Sequence, residues 1–157
     1  MKEMNRFDIP SILQQVRTII ATEKSKETVL LEITKLLKSE VYHYDWVGFY
    51  ILNESKNQLE LGPYSGKATD HTHIPVGKGV CGQVAASNAT MIVQDVSQME
   101  NYISCSIDVQ SEIVVPIKKN GKFVAEIDID SHSPAPFAEE DKFLLEEICK
   151  ELEVLFE

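Results

Sequence analysis

No stretch of this sequence approaches the run of about 20 apolar residues that a membrane-crossing helix needs. Residues Met1 to Ser11 carry Lys2, Glu3, Arg6 and Asp8 and no apolar block of signal-peptide length, so a cytoplasmic protein is expected. Positive charge is the minority: 15 Lys and Arg stand against 25 Asp and Glu, for a net charge of −10. No basic field is left to draw a phosphate backbone or an anionic bilayer, and nucleic acid and membrane surfaces are poor partners. Cysteine is scarce. Cys81, Cys105 and Cys149 are an odd number at wide spacings, which argues against a secreted disulfide framework and leaves reactive thiols as the point of interest. The 157 residues, 43% apolar and 25% charged, are a squeeze for two domains. One domain over residues 1–157 can bury roughly two-thirds of the surface its unfolded chain exposes and needs neither disulfides nor a structural metal.

Helical spacing of Ile12, Val16, Ile19 and Ile20 after Asp8 and Pro10 predicts a first amphipathic helix, with a second starting near Ser25 and facing inward through Val29, Leu30, Ile33, Leu36 and Leu37. From Asp45 the period changes. Trp46 to Ile51 reads as a strand ending at the turn signal Asn53 to Asn57, and Leu59, Leu61 and Tyr64 alternate as its hairpin partner, interrupted at Gly62 and Pro63. A short helix over about Val80 to Ser87 and a short strand over Met91 to Val93 follow. The polar stretch Asp95 to Ser111 reads as a long loop of the kind that carries function. Asn120-Gly121 between Ile113–Ile117 and Phe123–Ile129 is the strongest hairpin signal in the chain. A last helix opens with Pro136, Phe137 and the acidic Glu139, Glu140 and Asp141, and its stripe is Leu145, Ile148, Leu152 and Leu155. Helices at both ends and strands between them predict an α+β domain with a largely antiparallel sheet.

Asp128 and Asp130 alternate with Ile127 and Ile129, which turns the isoleucines to the core and sets both carboxylates, about 7 Å apart, on the other face together with Glu126. Like charges so placed resist ionising together, and suit binding an ammonium group, attracting a cation, or acid catalysis. A solvated strand face is the plain alternative. The spacing brings in no further oxygen ligands for a hard metal. Gly77, Gly79 and Gly82 match the letters of the dinucleotide fingerprint, with Asp95 following, but the helix is too short and the chain leaves no room for a doubly wound sheet, so they read as a tight turn. Cys81, near a helix N-terminus, has a dipole that favours its thiolate. Cys105 sits in the polar loop, whereas Cys149, on the flank of the last helix's stripe, reads as inert core. His71 and His73 flank Thr72 without a specified third metal ligand and read as solvated histidines of an extended segment. Trp46 and Tyr50 share one strand face, as core or as the wall of a ligand pocket.

Taken in order, Asp45-Trp46-Val47-Gly48-Phe49-Tyr50, Leu61-Gly62-Pro63-Tyr64 with Gly66-Lys67, Ile74-Pro75-Val76-Gly77-Lys78-Gly79-Val80-Cys81-Gly82, Ser111 to Ile117, Asp128-Ile129-Asp130-Ser131 and Phe137 to Asp141 resemble the free methionine-R-sulfoxide reductases, enzymes of the GAF fold. The resemblance implies a GAF-like sheet with N- and C-terminal helices packed on it. It also implies that Cys105 attacks the sulfur of free L-methionine-R-sulfoxide, and that the resulting sulfenic acid condenses with a second thiol to a disulfide that thioredoxin reduces. Trp46 and Tyr50 would wall the substrate's methyl end, while Glu112, Asp128 and Asp130 would hold its ammonium and protonate or hydrogen-bond the sulfoxide oxygen. No resident cofactor or metal is implied, and a homodimer is left open. Where the family has a further cysteine, this chain has Ala68 to His73, which leaves Cys81 as the resolving candidate. Glu126 stands where the family tends to be apolar, beside the pocket or on its outer edge, and Tyr102 and Ser104 differ from the residues common beside the reactive cysteine. The competing reading is a non-catalytic GAF module that binds a small ligand and signals through its terminal helices, although a chain of this length offers no output domain.

Overall fold

A computed structural model describes residues 7–99 and 108–156. Two helices come first: α1 (Ile9–Thr22), whose leading N–H of Ser11 donates to the Asp8 carboxylate at 3.0 Å, and α2 (Lys26–Glu40), capped by the Ser25 hydroxyl on Thr28 N–H at 3.1 Å. The six strands are β1 (Trp46–Asn53), β2 (Gln58–Ser65), β3 (His73–Pro75), β4 (Met91–Val93), β5 (Ser111–Lys119) and β6 (Lys122–Ser131). They form one antiparallel sheet in the order β3-β2-β1-β6-β5-β4. Helix α3 (Gly79–Ser87) joins β3 to β4, and α4 (Glu139–Leu152) follows β6. Among the described residues no helix is long and apolar enough to cross a membrane.

The sheet is covered on both faces, by two different groups of side chains. Ile113, Val115, Ile117, Ile127 and Ile129 point with Val47 and Phe49 into a core shared with α1, α2 and α4. Trp46, Tyr50, Leu59 and Val114 point the other way and pack with Ile74, Val80, Cys81 and Val84 beneath α3. Asn120 and Gly121 both have positive φ, at 53° and 80°, as the tight β5–β6 turn requires.

Two sequence expectations are corrected in detail and two are sharpened. The interruption expected at Gly62 and Pro63 is a bulge inside β2: Gly48 pairs with Tyr64 and Tyr50 with Leu61, so Gly62 and Pro63 together stand opposite the single residue Phe49. That bulge absorbs the proline's missing donor without ending the strand. Leu155 belongs to a closing 3-10 turn and is half-buried, so the inward stripe of α4 is Leu144, Leu145, Ile148, Cys149 and Leu152. The polar stretch after β4 is not wholly irregular, because Val96–Gln98 form a 3-10 turn closed by Asp95, whose carboxylate accepts from Ser97 N–H at 3.0 Å. Asp141 stands in the acidic first turn of α4 with Glu139 and Glu140, as expected, but unlike a surface acid it is enclosed. It is fully buried, its carboxylate accepting from His43 Nε2–H at 2.7 Å, from the Tyr44 hydroxyl at 2.8 Å and from Ala138 N–H at 2.8 Å.

Candidate functional site

The register of three neighbouring strands builds the site. Asp130 of β6 stands between Trp46 of β1 and Glu112 of β5, Asp128 between Gly48 and Val114, and Glu126 between Tyr50 and Pro116. Since side chains alternate along a strand, all nine positions lie on the face under α3, and the aromatic pair, the carboxylates and Glu112 meet there. Gly48 matters because a Cβ there would overlap the Trp46 ring and lie 2.9 Å from Tyr64 Cβ. The missing side chain lets Trp46 fold over the strand, stack on Tyr64 at 5.5 Å between ring centroids, and donate its indole N–H to Lys67 O at 3.0 Å. Tyr50 lies 6.4 Å from Trp46, centroid to centroid, and its hydroxyl donates to His71 O at 2.9 Å.

From above, α3 lowers Cys81 onto this face. Its start is held close by backbone contacts: Gly77 N–H donates to Gly82 O at 2.8 Å, and a Cβ at Gly82 would sit 2.6 Å from Pro75 O. The glycines therefore serve a tight turn, as their spacing suggested. The Cys81 thiol donates to Glu112 Oε2 at 3.9 Å, and the Cys81 sulfur with one oxygen each from Glu112 and Asp128 form a cluster within 4.8 Å. The spacing of the aspartates brought in no further oxygen ligand, and the fold supplies one from distant sequence, Glu112, which joins Asp128 together with the Cys81 sulfur. Tyr50, His71, Lys78, Cys81, Glu112 and Asp128 border a cavity of about 10 Å³, room for about one water molecule. Trp46 and Asp130 border a neighbouring cavity of about 400 Å³ with Asp45, Lys67 and His132.

The carboxylate row is not a solvated face. Glu112, Glu126, Asp128 and Asp130 are all at most 4% exposed. Burial raises the Asp128 carboxyl, against the stabilising effect of hydrogen bonding with Glu112 and Cys81. For Glu126 the outer-edge placing is corrected and the placing beside the pocket holds: it is 0% exposed next to Asp128 and Cys81, with neither carboxyl oxygen in a hydrogen bond among the described residues. Burial drives its carboxyl well above the usual carboxylate range, the nearby Cys81 thiol counteracts this, and the Asp128 charge adds to it. Cys81 is corrected too. It is 5% exposed, and burial, then the charges of Asp128, Glu126 and Glu112, push its thiol well up, which overrides the helix dipole. Cys149 is core as expected, its thiol donating to Val115 O at 3.8 Å and raised by burial.

Among the described residues His71 and His73 share no ligand cluster: His71 borders the small cavity, while His73 is exposed with its Nε2 3.9 Å from Glu60. Cys105, Tyr102 and Ser104 lie outside the described residues. The cluster of His43, Tyr44 and Asp141 was missed, and so was the stack of Tyr64 on Trp46. The only signal for the second was a pair of glycines, Gly48 and Gly66, two residues beyond Trp46 and Tyr64 respectively.

Comparison with known proteins places these features in context. The GAF domain family matches residues 25–155. The GAF domain-containing protein A of Dictyostelium discoideum is 35% identical over 91% of this chain and 89% of its own length. The free methionine-R-sulfoxide reductase of Escherichia coli is 34% identical over 96% of this chain and 90% of its own. A crystal structure of the free methionine-R-sulfoxide reductase of Neisseria meningitidis, in complex with its substrate, superposes with a TM-score of 0.90 at 34% identity, covering 99% of this chain and 95% of that one.

Proposed function

This chain belongs to the free methionine-R-sulfoxide reductases of the GAF domain family, and we propose that it reduces free L-methionine-R-sulfoxide to methionine through Cys105, with Cys81 as resolving thiol and thioredoxin as external reductant. The observation that carries the reading is the buried row of Glu112, Asp128 and Asp130 beside Trp46 and Tyr50. An amino-acid substrate presents an ammonium, a polar sulfoxide oxygen and an apolar methyl, and this face offers a partner for each. Glu112 and Asp130 take the ammonium. Asp128, whose carboxyl burial raises, gives the sulfoxide oxygen its hydrogen bond or proton. The aromatic pair walls the methyl end. A peptide-bound residue has no α-ammonium to replace water on these carboxylates, so it is refused.

Cys105 attacks the sulfoxide and takes up its oxygen: methionine leaves, and the two electrons come from the cysteine sulfur, which becomes a sulfenic acid. Cys81 then attacks Cys105 sulfur. The S–S bond forms as the S–O bond breaks, water leaves, and a thioredoxin dithiol returns both cysteines to thiols. Because Cys81 rests as a thiol, it must first lose its proton, and Glu112 Oε2, its hydrogen-bond acceptor, is positioned to take it. The reductant implies a reducing compartment, the cytoplasm.

Two measurements test this. NADPH consumption with thioredoxin and thioredoxin reductase should proceed with the free R-sulfoxide and fail with the free S-sulfoxide and with a peptide sulfoxide; equal rates on all three overturn the substrate assignment. Non-reducing peptide mapping after stoichiometric methionine sulfoxide should find Cys81 joined to Cys105, and a lasting sulfenic acid on Cys105 with Cys81 still a thiol removes Cys81 from the cycle.

A further inference from the structure

The small cavity under α3 combines three features that a substrate carboxylate row does not by itself require. A thiol and two carboxyl groups from three different elements put one ligand atom each within 4.8 Å of one another, all of them buried. Asp128 Oδ1, on a residue 3% exposed, borders the cavity without a hydrogen-bond partner among the described residues. Directly beside it Glu126, 0% exposed, has two further unpartnered oxygens. A buried acceptor left without a donor costs roughly 1–3 kcal/mol, and a cation satisfies several such acceptors at once.

We propose that Cys81, Glu112 and Asp128 of the reduced protein form a three-ligand binding site for a zinc-type divalent cation, with water in the fourth position. The donor set selects the ion. Calcium takes six to eight oxygens and magnesium an octahedral shell, which one sulfur and two oxygens do not provide, whereas zinc accepts a mixed sulfur and oxygen set in four-coordination. Zn–S and Zn–O lengths of about 2.3 and 2.1 Å place ligand atoms about 3.5 Å apart, so the cluster closes by roughly an ångström on binding. The cavity has room for about one water, the size of the ion's remaining ligand rather than of an organic molecule. Binding breaks the Cys81 S–H bond and forms Zn–S, and the proton goes to solvent; no electron moves. Bound zinc occupies the resolving thiol and two of the three substrate carboxylates, so it holds the reduced protein out of the cycle.

Metal-free, fully reduced full-length protein is titrated with Co²⁺ and then Zn²⁺. One equivalent of Co²⁺ should raise a near-ultraviolet thiolate-to-cobalt charge-transfer band, one equivalent of Zn²⁺ should bleach it, and Zn²⁺ should slow alkylation of Cys81 in a peptide map. The band should vanish in Cys81→Ala and persist in Cys149→Ser and Cys105→Ser. Glu112→Gln and Asp128→Asn should each weaken Zn²⁺ binding by about tenfold or more, since even residues that only support a ligand are worth that much. These two nearly isosteric variants carry the test if Cys81→Ala does not fold. Absence of the band, its survival in a folded Cys81→Ala, its loss in Cys149→Ser or Cys105→Ser, or unchanged affinity in both carboxylate variants overturns the assignment. None of these readouts uses methionine sulfoxide, so their failure is separate from any failure of the reductase reading.

Discussion

Replacing Glu126 by Gln should make the protein more stable near neutral pH, although the side chain removed is one of the most deeply buried. Glu126 is 0% exposed and its oxygens have no hydrogen-bond partner among the described residues, so burial raises its carboxyl well above 4.5 in the folded protein. A folded-state pKa above the unfolded one means that the native protein holds the proton more tightly. The stability this confers is full below the unfolded pKa and is lost as pH climbs toward the folded pKa, by about 1.4 kcal/mol for each pH unit between the two. Glutamine has nearly the same volume and does not titrate. At pH 4.5 the two proteins should differ little, because a neutral carboxyl and an amide pay similar costs for being unsatisfied. Above that pH the variant should pull ahead, by about 1.4 kcal/mol per unit, which for a chain of this size moves the midpoint by about 3–5 °C per unit. Urea and thermal unfolding of both proteins from pH 4.5 to pH 8 reads this directly. Parallel stability curves, or a variant that falls behind as pH rises, would show that Glu126 is ionised or satisfied in the fold and would refute the reasoning.

Cys105→Ser should abolish turnover with the far-ultraviolet circular dichroism unchanged, because a serine hydroxyl does not replace a thiolate nucleophile, while Cys149→Ser should retain turnover at a stability cost of about 1 kcal/mol. Asp128→Asn, Asp130→Asn and Glu112→Gln should each lower kcat/KM by about 100-fold or more while moving the urea midpoint little, since each removes a charge or proton that the bound sulfoxide needs and nearly preserves volume. Glu126→Gln, whose side chain is not among those bordering either site cavity, should leave kcat/KM within a fewfold of the parent in the same assay. Asp141→Asn should behave oppositely to Glu126→Gln: burial alone would raise Asp141, but hydrogen bonds from His43, Ala138 N–H and Tyr44 outweigh it and hold the carboxyl low. Its stabilisation is therefore present above the unfolded pKa and fades as pH falls through the folded one, so the variant should lose about 1–3 kcal/mol at pH 7 and progressively less in acid, as followed by urea unfolding.

What the sequence determined by itself was everything that depends on near neighbours along the chain. The helix starts after Asp8 and near Ser25, the period-3.6 inward faces of α1 and α2, and the Asn120-Gly121 turn are settled by backbone geometry over a few residues, and they stand in the structure as expected. Alternation in β6 likewise sufficed to put Ile127 and Ile129 on one face and Glu126, Asp128 and Asp130 on the other. Alternation does not say what covers a face. That was decided only when α3 came down on the sheet and turned a row of carboxylates into a buried one, which pushed the Glu126 carboxyl and the Cys81 thiol well above their ordinary pKa values. A helix dipole acts over one turn and is weak, whereas desolvation grows with every atom packed around the group, so the tertiary term prevailed at Cys81. Glu112 meeting Asp130 and Asp128, Gly48 making room for Trp46, and Asp141 finding His43 and Tyr44 nearly a hundred residues earlier all rest on strand register and helix packing, and these are fixed by the joint burial of distant segments rather than by any local pattern.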